Sequence, residues 1–167
     1  MKIAFGGKMG TGKDVATKYL SNKYGGIVIS FAEPIYDILT YAQTIAGFPI
    51  EKDRKFLQFV GTEWGRSIDE NVWIKRVMEK APEDENAFIS DLRFVNEFQA
   101  LKDNDWICVK LVRNVENEVR KGTGSVSHIS ENSLDTIQNE NWDYVIENNG
   151  TLKEFYEKLE EIVQDFQ

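Results

Sequence analysis

Residues 2–14 read KIAFGGKMGTGKD, and this stretch decides how the rest of the chain is interpreted. An apolar run, Lys2–Phe5, leads into a glycine-rich segment, Gly7–Asp14, that fits the pattern G-x-x-x-x-G-K. Glycines let a backbone wrap around an anion at positive φ, so that successive N–H groups point at phosphate oxygens while the lysine reaches the outer phosphates. An amphipathic helix is predicted to begin at Gly12, which gives the strand–loop–helix setting of a phosphate-binding loop. The alternative interpretation is a glycine-rich turn that binds nothing.

Asp14 departs from the usual pattern, which has Ser or Thr at this position. A hydroxyl there binds Mg²⁺ directly. An aspartate binds the ion through water or holds another part of the site, or it only favours the first helical turn electrostatically. Asp14 is therefore a candidate metal residue whose mode of binding the sequence leaves open.

Composition limits the function classes that remain. The chain has 167 residues, 41% hydrophobic and 29% charged, which suits one globular domain. A net charge of -8 argues against a nucleic acid polymer or an acidic membrane surface as the main partner. The one cysteine, Cys108, excludes a disulfide framework within the chain and a cysteine-based zinc site, and the one histidine, His128, excludes a histidine-rich metal site. No signal peptide or membrane-spanning run is recognisable, so we expect a cytoplasmic protein.

Short apolar runs predict four further strands, at 27–31, 87–89, 106–112 and 144–146. Runs this short suit strands that are buried on both faces of a parallel sheet. The intervals have helical periodicity, most clearly between Leu152 and Phe166, where Thr151 and Glu154 form a capping box. A similar apolar face follows the first strand at Val15, Ala16, Tyr19 and Leu20. This alternation predicts an α/β fold, with a parallel sheet of roughly five strands and helices on both faces.

Two stretches interrupt the alternation. Residues 32–86 look wholly helical and are too long for one crossover helix, so they predict a subdomain. Residues 113–141 are polar, charged and punctuated by glycines, as a mobile flap would be. The core is then expected at 1–31, 87–112 and 142–167.

Several motifs resemble one enzyme family, the deoxynucleoside monophosphate kinases of the bacteriophage type. Gly12-Lys13-Asp14 resembles that family's phosphate loop, and four segments agree with it in order: Ser30–Pro34, Leu57–Arg66, Asp91–Glu97 and His128–Glu131. Val95 departs from the pattern, since proline is common there. The match spans about residues 3–146. The resemblance implies a single three-layer P-loop kinase domain, with a nucleotide-monophosphate-binding subdomain at 32–86 and a lid at 113–141.

The resemblance also implies an activity, namely transfer of the γ-phosphoryl group of ATP, with Mg²⁺, to a deoxynucleoside monophosphate. Such a transfer brings several phosphate charges together, so catalysis depends mostly on positioning and charge neutralisation. Arginine suits that task because its planar guanidinium binds phosphate with two hydrogen bonds. The predicted catalytic residues are Lys13, Arg93 and Arg120. The predicted ATP-binding residues are Lys8, Met9, Gly10, Thr11, Gly12, Lys13, Asp14 and Arg113. The predicted substrate-binding residues are Glu33, Trp64, Arg66 and Arg93, and the predicted metal residues are Asp14 and Asp91.

Asp91 and Arg93 follow the third predicted strand, at the sheet edge where open α/β proteins bind ligands. Arg93 is expected to grip the acceptor's phosphate or the transferring phosphoryl group, and its alternative is a surface pair with Asp91 or Glu97. Asp91 is expected to orient Mg²⁺ or its waters, and its alternative is a helix N-cap. Arg66 is expected to bind the acceptor's phosphate, with a surface pair to Glu63 as the alternative.

The other candidates each have a plainer alternative. Glu33 contacts the acceptor's sugar or base, or only begins a helix before Pro34. Trp64 and Tyr36 stack on a base, or pack in the interior. Arg113 and Arg120 arrive with a closing lid, or remain solvated, and Lys121 is a weaker candidate of the same kind. His128 has a family match without a derivable role, and Cys108 is expected to be a buried small hydrophobe.

Two alternatives to this function remain open. Another small-molecule P-loop kinase, such as a dephospho-coenzyme A kinase, would use the same loop and the Ser30–Pro34 segment. A non-catalytic nucleotide-binding switch would hydrolyse ATP slowly, whatever the acceptor. The sequence leaves open which bases are accepted and whether a homodimer forms, and it places the protein in the host cytoplasm if the chain is of phage origin.

Overall fold

The computed structural model describes residues 1–114 and 133–165. Within that part of the chain, the strands are β1 (Lys2–Gly6), β2 (Ile27–Ile29), β3 (Ala87–Leu92), β4 (Ile107–Val112) and β5 (Tyr144–Glu147). The helices are α1 (Lys13–Tyr24), α2 (Glu33–Ala46), α3 (Arg54–Gln58), α4 (Gly65–Ile68), α5 (Val72–Lys80), α6 (Val95–Asp103) and α7 (Leu152–Gln164). A π-helical segment, Phe59–Trp64, lies between α3 and α4, and two 3₁₀ turns, Ser133–Thr136 and Asn139–Asn141, precede β5. The five strands expected from the apolar runs are therefore confirmed.

The strands form one parallel sheet in the order β2-β3-β1-β4-β5. Gly6 at the end of β1 is in register with Leu92 of β3 and with Lys110 of β4, and Val112 of β4 is in register with Glu147 of β5. The segments that follow these strands consequently emerge at one edge of the sheet. That carboxyl edge is where open α/β sheets bind their ligands.

The chain divides into two compact units, one formed by Met1–Val28 with Pro82–Gln167 and the other by Ile29–Ala81. In the first, which we call the sheet unit, α1 and α7 bury one face of the sheet. Alternate residues of β1, Ile3 and Phe5, point to this face and are fully buried. Their partners in the same cluster come from five other elements: Ala16, Leu20, Phe88, Val109, Leu111, Ile146, Phe155, Leu159, Ile162 and Val163.

The opposite face of the sheet is buried through α6, which contacts β4. The rings of Phe98 and Trp142 meet there, with centroids 4.8 Å apart. Cys108 on β4 is fully buried, and this burial, with a smaller contribution from Asp143, raises the pKa of its thiol to about 12. The expectation of a small hydrophobe at this position is confirmed.

The last helix follows its predicted stripe from Phe155 to Val163 but not at the start, and Phe166 lies outside the described residues. Thr151 Oγ1 accepts the N–H of Glu154 at 3.3 Å and the Glu154 carboxylate accepts the N–H of Thr151 at 2.6 Å, so the capping box is confirmed. Leu152, however, is 56% exposed, because it is the first helical residue and lies outside the packed turns. Val15 on α1 is also exposed, whereas its predicted companions Ala16 and Leu20 are buried.

The second unit, which we call the helical unit, contains α2 to α5. Trp73 organises its interior: the indole Nε1–H donates to the carbonyl oxygen of Gly61 at 2.8 Å. Gly65 packs so tightly on this ring that an added Cβ would lie 2.5 Å from it. Glu33 and Pro34 occupy the first turn of α2, in keeping with their helix-start interpretation. Across 1–114 and 133–165, no helix has both the length and the apolarity that a membrane crossing requires.

Candidate functional site

The glycine-rich loop between β1 and α1 has the backbone that a phosphate-binding loop requires. Gly7, Gly10 and Gly12 have φ of 135°, 81° and 107°, values that L side chains rarely adopt. A Cβ on Gly7 would lie 2.3 Å from the carbonyl oxygen of Leu111, so the chain passes where no side chain fits. Gly12 is the N-cap of α1 and supplies no side-chain cap, which leaves the amide end of this helix facing the loop. The sequence prediction of a strand–loop–helix unit is confirmed.

Lys13, the first residue of α1, folds back over the loop. Its Nζ donates to the carbonyl oxygens of Gly7 and Lys8, both at 2.7 Å. The hydroxyl of Thr11, a buried residue, donates to the same Lys8 carbonyl at 3.0 Å. These hydrogen bonds fix the backbone of the loop and hold the Lys13 ammonium group beside it.

Asn148 supports the loop from the segment between β5 and α7, and the sequence analysis missed it. Its side-chain Nδ2 donates to the carbonyl oxygen of Thr11 at 2.9 Å, and its backbone N–H donates to Val112 at 2.8 Å. The next residue, Asn149, accepts the N–H of Asn114 at 2.8 Å, just beyond β4. The sequence Asn-Asn-Gly after a strand predicts a turn at this position. It does not predict which backbone carbonyl accepts a hydrogen bond from the Asn148 side chain.

Asp91 and Arg93 lie at the carboxyl edge, next to the loop, because Gly6 and Leu92 are in register. Asp91 is half-buried within β3, and the N-cap of α6 is Phe94, so the N-cap interpretation of Asp91 is wrong. Glu97 is buried, not a surface residue, and its carboxylate accepts the backbone N–H groups of Arg93 at 2.8 Å and Phe94 at 3.0 Å. The buried Glu97 carboxylate thus fixes the backbone at Arg93, and Arg93 itself is exposed.

The two predicted metal residues suit Mg²⁺ as a partial ligand set. Asp14 is exposed in the first turn of α1, directly after Lys13, and Asp91 is the penultimate residue of β3, towards the carboxyl edge of the sheet. In the described part of the chain, no group of three or more Asp, Glu, His or Cys residues forms a metal site. Mg²⁺ commonly takes one or two carboxylates, with phosphate oxygens and water completing its octahedron. These residues therefore fit a metal that is held jointly with a nucleotide.

The remaining donor-side candidates differ in what surrounds them. Lys8 is exposed, with its Nζ 3.6 Å from Asp135, and Met9 is also exposed. Arg113 follows β4 immediately and is exposed. Arg120, Lys121 and His128 lie outside the described residues, as does most of the predicted lid.

The acceptor-side candidates belong to the helical unit. Glu33 forms an ion pair with Lys80, and Arg66 donates from Nη1 to the carbonyl oxygen of Glu70 at 3.0 Å. Trp64 is 46% exposed and Tyr36 is 39% exposed, so the interior packing given as their alternative is wrong. The roles predicted for these side chains stay predictions.

The chain matches a family model described as deoxynucleotide monophosphate kinase over residues 51–159. It is 31% identical over 186 residues to the "Putative deoxynucleotide monophosphate kinase" of Acanthamoeba polyphaga mimivirus, covering 92% of this chain and 91% of that protein. It is 37% identical over 141 residues to the uncharacterized protein ORF77 of Ictalurid herpesvirus 1, covering 80% of this chain. The aligned region is 58% of the herpesvirus protein, so the chain spans less than two thirds of that relative.

Solved structures share the fold at low sequence identity. A dephospho-CoA kinase from Campylobacter jejuni superimposes with a TM-score of 0.56 at 15% identity, covering 99% of this chain and 98% of that one. A sugar kinase from a Janibacter species superimposes with a TM-score of 0.51 at 13% identity, covering 94% and 90%. These similarities support the α/β fold described above, a five-stranded parallel sheet with helices.

Proposed function

The chain belongs to the deoxynucleotide monophosphate kinase family, and we propose that it transfers the γ-phosphoryl group of ATP to a deoxynucleoside monophosphate, giving ADP and the diphosphate. Family membership supports catalysis over the alternative of a non-catalytic switch. The observation that carries the proposal is the loop at Gly7–Asp14. Three of its glycines have positive φ, and it opens at the same sheet edge as Asp91 and Arg93.

The donor nucleotide binds along this loop in our proposal. The loop's N–H groups and the amide end of α1 bind the phosphates, and the Lys13 ammonium group neutralises the outer ones. Asp14 and Asp91 would hold Mg²⁺ together with phosphate oxygens, and the metal would supply neutralisation of the phosphate charge there. Asn148 supports the loop by donating a hydrogen bond to the Thr11 carbonyl oxygen.

The transfer itself is an in-line displacement at phosphorus. An oxygen of the acceptor's phosphate forms a bond to the γ-phosphorus, the bond from that phosphorus to the β,γ-bridging oxygen breaks, and ADP leaves with the electron pair. Arg93, Arg113 and Arg120 are the proposed partners of the charge that spreads over the transferring group. The buried Glu97 prepares Arg93 for this role by holding its backbone N–H.

Acceptor binding is assigned to residues of the helical unit, namely Glu33, Trp64 and Arg66. Arginine pairs with the acceptor's phosphate through two hydrogen bonds, and an exposed tryptophan offers a flat face on which a base stacks. The Glu33–Lys80 ion pair holds the carboxylate at the start of α2. Acceptor choice then depends on which base these groups favour.

The test measures ADP release from ATP and Mg²⁺ with single acceptors, in a coupled assay. The panel contains each deoxynucleoside and ribonucleoside monophosphate, together with dephospho-coenzyme A. We expect release that depends on a deoxynucleoside monophosphate and falls on the order of 100-fold or more in Lys13→Ala, since a lost transition-state donor typically costs that much. Lys18→Ala is the matched control, because Lys18 lies exposed on the same helix outside the loop.

The outcomes separate the candidate functions. Release that responds to dephospho-coenzyme A alone would overturn the proposed acceptor while leaving a P-loop kinase. Slow release that no acceptor changes, in protein that binds ATP, would overturn phosphoryl transfer between nucleotides altogether.

A further inference from the structure

The segment 133–143, which we call the clamp, packs against the start of the phosphate loop. Leu134, Ile137 and Trp142 are each at least nine-tenths buried. An added Cβ on Gly6 would lie 2.5 Å from the Trp142 ring and 3.1 Å from Leu134. The clamp is therefore seated on the last residue of β1, one position before the loop begins.

Polar contacts fix the other end of the clamp. The Asp143 carboxylate accepts the N–H of Cys108 at 2.8 Å and pairs with Lys102, and Asn139 accepts a hydrogen bond from Lys110 at 2.8 Å. Both partners on β4 precede its carboxyl end. Since the clamp is held by apolar side chains and by these bonds, its exposed side chains stand at set positions beside the loop.

Asp135 is such a side chain, and it faces the loop's own cation. Its carboxylate lies 3.6 Å from Lys8 Nζ, and the two side chains are 51% and 70% exposed. The Lys8 backbone is pinned, because its carbonyl accepts from both Thr11 and Lys13. The flexible side chain of Lys8 can thus change partner while the loop stays in place.

A carboxylate in this position opposes the ligand that the loop binds. Donor phosphates bring several negative charges to the loop, and they compete with Asp135 for the Lys8 ammonium group.

We propose that Asp135 is a positioning residue that holds Lys8 away from the donor phosphates and thereby weakens the binding of ATP and ADP. The inference rests on the donor site of the proposed function. When the donor nucleotide binds the loop, Lys8 leaves its ion pair with Asp135 and contacts a phosphate instead. A carboxylate that favours the return of Lys8 favours release of ADP, and product release is often a slow step in enzymes of this kind.

Direct binding of ADP, measured by calorimetry without any acceptor, tests this. Asp135→Asn is expected to tighten ADP about two- to five-fold, the range that corresponds to an exposed ion pair. The gain should shrink at about 0.5 M NaCl, because salt screens exposed charges. Glu140→Gln is the matched control: it removes the same charge from the same segment, at an exposed residue.

A double-mutant cycle shows whether Asp135 acts through Lys8. In a Lys8→Gln background, Asp135→Asn should change ADP affinity by less than about 1.5-fold, because the partner is gone. An undiminished gain in that background would overturn the proposal, as would unchanged or weaker binding in both Asp135→Asn and a second variant, Asp135→Ser. A chain that binds ADP as expected but phosphorylates no monophosphate would refute the proposed function and leave this inference standing.

Discussion

Substituting Gly12 by alanine tests whether the loop geometry is what the binding site depends on. Gly12 has φ of 107°, and positive φ costs an L residue about 1–2 kcal/mol. The new Cβ would also lie 2.7 Å from Asn148 Nδ2 and 3.2 Å from the Phe155 ring. Asn148 must then move and lose its bond to Thr11, worth about 1 kcal/mol, so we expect a total loss of about 2–3 kcal/mol.

Urea unfolding of Gly12→Ala, Asn148→Ala and the double variant measures the two contributions separately. Asn148→Ala alone should cost about 1 kcal/mol and should also remove the obstacle that the new Cβ meets. The double variant should therefore cost about 1 kcal/mol less than the sum of the singles. Singles that add to within about 0.5 kcal/mol would refute the contact between Gly12 and Asn148 as the cause.

Gly25→Ala is the control at the other end of α1. Gly25 also has positive φ, 69°, but a Cβ there would meet nothing within 4 Å. Both variants should lose stability through backbone strain, yet only Gly12→Ala should weaken ADP binding, by at least about 10-fold. Equal ADP affinity in the two variants would contradict the role given to the loop.

Two further predictions concern the packing of the sheet unit. Burial raises the pKa of the Cys108 thiol to about 12, so Ellman's reagent at pH 8 should react with native protein far more slowly than with protein unfolded in guanidinium, and equal rates would contradict that burial. Burial alone would raise the pKa of Glu160 on α7, but hydrogen bonds from Lys23, Tyr24 and Tyr19 outweigh it and the pKa is lowered. Because the pKa of Glu160 is lower in the folded state than its unfolded value of about 4.3, its charge stabilises the fold above that pH, and this stability is lost as pH falls through the folded-state pKa. Glu160→Gln should therefore reduce the free energy of unfolding by about 1–2 kcal/mol at pH 7 and by progressively less towards pH 3. A loss that stays constant over that pH range would refute the contribution of the charge.

The sheet and the loop follow from local patterns, which is why the sequence predicts them. Each strand is a short apolar run between helical stretches, and the glycines of Gly7–Asp14 follow the first run directly. Residues that act through local geometry, such as the capping pair Thr151 and Glu154, are equally visible in the sequence. The sequence does not show which residues of an apolar stripe stay exposed, because Leu152 and Val15 match the helical period and are nevertheless exposed.

The supports of the site come from residues that are distant in sequence. Asn148 reaches Thr11 across 137 positions, and Trp142 packs on Gly6. Such contacts depend on strand order and register, which no local pattern encodes. Glu97 illustrates the same limit: as a helix-surface carboxylate it looks like a partner for Arg93, whereas burial makes it the acceptor for two backbone N–H groups.

The central claim is that phosphorus moves from ATP to a deoxynucleoside monophosphate, and following the phosphorus tests it most directly. ATP carrying a labelled γ-phosphate is incubated with Mg²⁺ and each monophosphate, and the products are separated for wild type, Lys13→Ala and Lys18→Ala. We predict label in a deoxynucleoside diphosphate with wild type and Lys18→Ala, and at least about 100-fold less with Lys13→Ala. Label that appears only as free phosphate, with every monophosphate and in protein that binds ATP, would contradict the account.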